Sequence, residues 1–245
     1  MTTQSGAGRA LASQAVTRAR IRDLIVERSL KVGDPLPTEP ELMAELGVSR
    51  NSLREAIKAM QAVGIIDVRH GYGTFVGSAG LKSLEEGLGF RLTLSASGDL
   101  VDVRELLQLR RALEVGLARK VTAYWSQGSR LPLEAVVTEM DTVAAEGRYF
   151  PEEDWRFHAT MYEPLNNGLI LDLLRVFWRT LQHVDDKLPG PRHSPSDAVS
   201  WHREICDALA SGEPERVAQS LVDHFDGISV RLAAAEKSGT PATKN

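Results

Sequence analysis

Cysteine is nearly absent from this chain: Cys206 is the single one among 245 residues. That excludes a disulfide framework and any cysteine-rich zinc module. Long apolar runs are absent too, and nothing approaches the roughly 18 consecutive apolar residues of a membrane span. The opening MTTQSGAGRA is small and polar with no apolar stretch, so no secretory signal is expected and the chain reads as soluble and cytoplasmic. Charge of either sign has little excess, with 29 Lys+Arg against 33 Asp+Glu and a net charge of −4. Taken as an average, this mild acidity argues against a nucleic-acid partner. No internal repeat is visible.

The average hides a partition. Residues 9–77 carry 10 basic and 8 acidic groups, a balance of +2, and the rest of the chain carries −6. Small flexible residues, Gly77 to Gly80 and Ser95 to Gly98, bracket the stretch between the two parts. A small domain over residues 10–77, a linker over 78–98 and a larger domain over 99–237 are expected. The ends, 1–8 and 238–245, read as frayed.

In the small domain, Ile21, Leu24, Ile25 and Arg28 fall at helical spacing, predicting a helix from about Ser13 to Leu30. Thr38 and Glu41 form a capping-box pair ahead of Leu42 and Leu46. Gly47 breaks that second helix and Ser49 caps a third. The third helix has an inward stripe of Leu53, Ala56, Ile57 and Met60, with Arg50, Asn51 and Arg54 off the stripe. This is a helix-turn-helix, in which the start of the second helix of the pair meets base edges. A cation at a helix N-terminus opposes the helix dipole, so Arg50 calls for an anion such as a phosphate. Arg54 is open to a plainer role, pairing with Glu55 or Glu39 on a solvated face. Lys31 and Lys58 read as surface charges. Two short extended runs, Ile65–Arg69 and Thr74–Val76, flank His70-Gly71-Tyr72-Gly73 and form the hairpin of a winged helix-turn-helix.

From Asp99 onward six or seven amphipathic segments predict an all-α bundle. Arg110 sits at the centre of the apolar stripe of the helix Asp99–Tyr124, and a buried arginine needs an anion. Glu114, one turn on, is one candidate; a bound ligand is another. Arg111 lies off the stripe. Asp154 and His158 share one helix face, while His202 and His224 lie on the apolar faces of two others. A single inward histidine is usually a hydrogen-bonded core residue. Three of them with a carboxylate form a first shell for a divalent transition metal with positions left open. His183 and His193 read as solvated.

The run GDPLPTEPELMAELGVSRNSLREAIKAMQAVGIIDVRHGYGTFV, Gly33 to Val76, resembles the winged-helix domain of GntR-type transcription regulators, with LPTE, GVSR, REAI and GxGTFV in order and spacing. The segments LRRALE, DWRFH and HREICDALASGEPERVAQSLVDH resemble the FCD domain of the FadR branch, and the two likenesses cover most of residues 15–230. The resemblance implies operator contacts at Ser49, Arg50, Asn51 and Arg54 and a minor-groove contact at His70 and Gly71. It implies metal ligation, commonly zinc or nickel, by Asp154, His158, His202 and His224, with Arg110 facing an effector. Many relatives carry an arginine where this chain has Pro40, which removes one base contact. A complete metal set implies a small organic acid, such as a hydroxy acid or sugar acid.

The expectation is therefore a mainly α protein, a homodimeric, ligand-responsive regulator and most simply a repressor, acting on palindromic operator DNA with no membrane partner. Two readings stand beside it. Asp154, His158, His202 and His224 suit a zinc hydrolase or lyase, although no HExxH motif supplies a general base. Alternatively, the metal is purely structural.

Overall fold

Alanine-rich sequence at the N-terminus extends the first helix beyond its apolar stripe. Helix α1 runs Gln4–Glu27, earlier at its start than the spacing of apolar residues indicates, because Ala7, Ala10 and Ala12 are strong helix formers. The computed structural model describes residues 4–188 and 192–238. The expected fraying of residues 1–3 and 239–245 lies outside them, whereas residues 4–8 are helical.

The chain divides into two compact units between Leu84 and Glu85. In the first, α2 (Glu39–Leu46) and α3 (Arg50–Ala62) follow α1. Thr38 N and Oγ1 both donate to Glu41 Oε2 at 2.8 Å, closing the start of α2. Gly47 ends it at φ +61, a left-handed conformation that costs glycine little. Ser49 Oγ then accepts from Ser52 N at 3.3 Å and starts α3. All four residues of the predicted inward stripe, Leu53, Ala56, Ile57 and Met60, are buried against Ile21 and Leu24 of α1 and Leu42 and Leu46 of α2. Strands β1 (Ile66–Arg69) and β2 (Gly73–Val76) pair antiparallel, with Ile66 opposite Val76 and Arg69 opposite Gly73. Leu36 N donates to Thr74 O and Gly33 N to Val76 O, so the segment before α2 closes on the hairpin.

The stretch read as a linker is not structureless, since Lys82–Ala96 form helix α4. Six further helices build the second unit: α5 (Val101–Trp125), α6 (Leu131–Ala145), α7 (Pro151–Tyr162), α8 (Gly168–Asp185), α9 (Pro195–Ser211) and α10 (Pro214–Ser238). Helix α5 packs along α10, α10 along α9, and α6 against both α7 and α9. Phe157, Met161, Ile205, Leu209, Val217 and Leu221 fill one continuous core. Trp125 Nε1 donates to Met161 O at 3.0 Å, tying the end of α5 to α7.

Leu53 is fully buried in the small core of the first unit. Leu53→Ala is expected to destabilise that unit by about 2–5 kcal/mol, through lost burial plus the cavity left behind. Urea unfolding followed by circular dichroism measures it, and a loss below about 1 kcal/mol would contradict this packing.

Candidate functional site

In the second unit, helix periodicity brings the predicted metal residues to one point. Asp154 and His158, four apart, project from one face of α7, His202 comes from α9 and His224 from α10. One donor atom from each lies within 4.8 Å of all the others. His158 Nε2 is 3.2 Å from His224 Nε2, and His202 Nε2 is 3.0 Å from Asp154 Oδ1. His158 Nε2 and Asp154 Oδ1 are 3.9 Å apart.

The far sides of these groups test whether the site suits a metal. His202 Nδ1 is 2.8 Å from Ala198 O, and His158 Nδ1 is 2.9 Å from Glu114 Oε2. When an ion occupies the cluster, acceptors at both Nδ1 atoms suit the tautomer that turns both Nε2 lone pairs toward it. Trp178 Nε1 donates to Asp154 Oδ2 at 2.6 Å, so Oδ1, beside His202 Nε2, is the oxygen turned to the cluster. His224 Nδ1 is buried with no hydrogen-bond partner among the described residues, and the close contact of His158 Nδ1 with Glu114 is an ion-pair approach without hydrogen-bond geometry. Burial, then the nearby His202 and His158, hold the His224 imidazole well below its usual range and therefore neutral, as a ligand must be. Burial opposes ionisation of Asp154, yet the His202 hydrogen bond and the surrounding imidazoles outweigh it and keep the carboxyl well below the usual range. Three imidazoles and one carboxylate oriented this way fit a divalent transition ion.

Arg110 is buried, as its place on the stripe requires. Its Nε lies 2.7 Å from Glu114 Oε1, so the internal ion pair is real. Arg110 nevertheless also lines a cavity of about 420 Å³ together with Asp154, His202 and His224, so the pair does not close it off. Arg111 is half exposed and lies 3.6 Å from Asp226.

Glu114 does more than sequence spacing shows. Tyr162 Oη donates to its Oε2 at 3.0 Å, so one buried carboxylate touches Arg110, His158 and Tyr162. Burial raises its proton affinity, but His158 and Arg110 overcome that and hold the carboxyl well below the usual range. It is thus a second inward carboxylate beside the cluster, which the sequence reading did not place there. Both its oxygens are engaged, by Arg110, Tyr162 and the approach of His158, so it backs a candidate ligand and is a poor proton acceptor.

His193 corrects a second expectation. It is half buried, not solvated: its Nε2 is 3.0 Å from Gly227 O and its ring meets Trp201 edge to face at 4.9 Å. His183 is exposed, as read.

On the first unit, Ser49, Arg50, Asn51 and Arg54 are all exposed around the start of α3, and His70 and Gly71 are exposed at the hairpin tip. Arg50 has no ion-pair partner among the described residues. Arg54 Nε lies 3.2 Å from Glu39 Oε1, which bears out the surface pairing weighed for it, with Glu39 as the partner. Pro40 occupies the first turn of α2 and is exposed. Tyr72, missed by sequence reasoning, is 84% exposed at the same tip.

A helix-turn-helix with a β-hairpin wing, followed in one chain by a helical bundle around a polar cavity, defines a DNA-binding transcription regulator. Residues 13–76 match the bacterial regulatory proteins of the gntR family and residues 105–227 match the FCD domain, so the chain belongs to the GntR regulators that carry an FCD domain. It is 24% identical over 210 residues to the HTH-type transcriptional regulator LutR of Bacillus subtilis, covering 84% of this chain and 94% of that one. It is 28% identical over 221 residues to a putative L-lactate dehydrogenase operon regulatory protein of Escherichia coli, covering 87% and 83%. Among solved structures, a Streptococcus agalactiae GntR protein aligns with a TM-score of 0.61 and 28% identity over 89% of this chain and 98% of that one. These relatives are regulators and not enzymes, which removes the hydrolase or lyase reading. No described helix is long and apolar enough to cross a membrane.

If Glu114 orients His158, Glu114→Gln lowers the affinity for added zinc by about 10- to 100-fold, alongside a loss of bundle stability because the buried Arg110 loses its anion. Competition with a chromogenic chelator measures it; unchanged affinity would mean that His158 is positioned by other contacts.

Proposed function

We propose that this regulator is a homodimeric repressor whose affinity for a palindromic operator changes when a small carboxylate, a hydroxy acid or sugar acid, enters the bundle. The observation that carries this reading is the shared cavity, in which Arg110 and three of the four candidate metal ligands line one space. Asp154, His158, His202 and His224 would hold the ion, zinc or nickel by preference. When bound, such an ion supplies Lewis-acidic coordination positions for a carboxylate.

The chain's own residues set the rest. Burial tends to neutralise the Arg110 guanidinium, but Glu114 and Asp154 overcome this and keep it charged, able to meet a second anion. Helix α8 carries Gln182 at the cavity and Arg179, whose Nη1 lies 3.5 Å from Glu85 of α4. A shift of α8 on binding therefore pulls on α4, within the 77–98 stretch that joins the reader to the sensor. Only an acid that binds the two arrangements differently switches them. A relative named for an L-lactate dehydrogenase operon is consistent with an organic-acid effector.

At the DNA, Arg50, which has no ion-pair partner among the described residues, supplies the charge at the N-terminus of α3, and Ser49, Asn51 and Arg54 surround it. The wing tip, His70 and Gly71, reaches the adjacent minor groove. A two-fold operator needs two recognition helices about 34 Å apart, hence a dimer. Phe90 and Leu94, one turn apart on α4 and 67% and 61% exposed, offer an apolar face for a second copy.

Arg50→Ala is expected to weaken binding to an operator selected from random DNA by about 1–3 kcal/mol, in fluorescence anisotropy at fixed salt. Unchanged affinity and an unchanged salt slope would sink the recognition-helix assignment. Phe90→Glu combined with Leu94→Glu shifts the protein to monomers in light scattering; persistence of the dimer would place the interface elsewhere. Titration of carboxylates on the metal-loaded protein raises its melting temperature and alters operator affinity. An acid panel that leaves operator affinity untouched would leave the metal a structural role.

A further inference from the structure

The two oxygens of Asp154 meet different neighbours. Oδ1 lies 3.0 Å from His202 Nε2 and 3.9 Å from His158 Nε2, inside the cluster. Oδ2 accepts from the indole Nε1 of Trp178, on α8, at 2.6 Å. We propose that Trp178 is a positioning residue that holds Asp154 to ligation through Oδ1 alone, and thereby biases the cluster toward zinc or nickel and against manganese. This rests on the reading of Asp154, His158, His202 and His224 as metal ligands and deepens it, by naming a side chain outside the four that decides which ion they prefer.

Donor chemistry is the first reason. A carboxylate ligates through one oxygen or chelates through both. Three imidazole nitrogens with a single carboxylate oxygen suit zinc and nickel, whereas each added carboxylate oxygen moves a site toward manganese. A hydrogen bond to an ionised acceptor is roughly twice as strong as a neutral one, so the indole competes well for Oδ2. Glu114, the other inward carboxylate beside the cluster, has its oxygens engaged by Arg110 and Tyr162. With Oδ2 held as well, the oxygen that Asp154 could add to the cluster is withdrawn.

Rigidity is the second. The Trp178 ring meets the ring of Trp155, the residue after Asp154 on α7, at 6.0 Å between centroids and a tilt of 51°. Arg175, nearly one turn before Trp178 on α8, places its guanidinium 5.1 Å from the centroid of that same Trp155 ring. Phe177 and Leu181 on either side of Trp178 are buried and fix the rotation of α8. The indole is therefore held from two directions, and swinging it off Oδ2 would undo aromatic contacts between α7 and α8.

A plainer role is that a half-buried indole N–H needs an acceptor and Asp154 supplies one. In that role, loss of the N–H costs stability and weakens every ion alike. Selectivity between ions separates the two roles, because only a held Oδ2 makes the carboxylate discriminate.

Trp178→Met and Trp178→Gln test this in the full chain freed of metal and titrated calorimetrically with zinc chloride and with manganese chloride. Both variants remove the same ring, but the Nε2 of glutamine stands as many bonds from Cα as the indole Nε1 and can donate in its place, while methionine cannot. Trp178→Met is expected to lower the ratio of zinc to manganese affinity about tenfold or more, and Trp178→Gln to recover most of it. An unchanged ratio in Trp178→Met, or an equal fall of both affinities in both variants, would overturn the role. Should neither variant fold, indole ¹⁵N NMR of the unaltered chain decides. The indole N–H signal most broadened by manganese is expected to keep slow solvent exchange when zinc is bound, and fast exchange would mean that the bond to Oδ2 is released. If the unaltered chain binds neither ion, the metal reading itself fails, which is a separate outcome.

Discussion

The Glu114 carboxylate is the constraint around which the sensor bundle is arranged. A carboxylate with no exposed side-chain surface is costly unless its charge and lone pairs are matched, and here Arg110, His158 and Tyr162 match them. Each of those contacts then has a second consequence. The contact with Arg110 holds a guanidinium at the cavity wall, and the contact with His158 places its Nδ1 against the carboxylate and its Nε2 toward the His/Asp cluster. Tyr162 and His158 both sit on α7, so the same carboxylate locks α5 to α7. Removing it would strand a buried cation and free a candidate metal ligand together.

The reader unit works by a simpler separation of faces. One side of α3 is spent on the core through Leu53, Ala56, Ile57 and Met60, which leaves Arg50, Asn51 and Arg54 directed to solvent without further specification. Rigid backing of this kind lets a few exposed side chains meet DNA in a defined register. The sensor inverts that pattern: its informative residues are the polar ones inside, with Arg110, Asp154 and His202 held by hydrogen bonds to their neighbours.

Much of this was legible from residue order. The stripe of α3, the Thr38–Glu41 cap, the hairpin and the pairing of Asp154 with His158 all rest on spacings of three or four residues, and local geometry honours such spacings whatever surrounds them. Arg110 was legible as an anomaly on an apolar stripe. The structured stretch around α4 was not, because its glycines and serines resemble a linker and its apolar face lacks a clean period. Nor was His193, since a histidine in a loop carries no periodic signal, and its contacts with Trp201 and Gly227 cross between separate elements.

The chain by itself determined, α4 apart, where helices form, which face of α3 and α5 turns inward and which four residues have the right chemistry to ligate a metal. These follow from helix periodicity and side-chain chemistry, both local. Only the tertiary structure decided that Glu114 stands behind His158, that Trp178 occupies one oxygen of Asp154, and that Arg110 and the metal cluster open onto one cavity. Those relations join residues dozens of positions apart, and they are set by how helices cross and pack, which no spacing along one helix encodes.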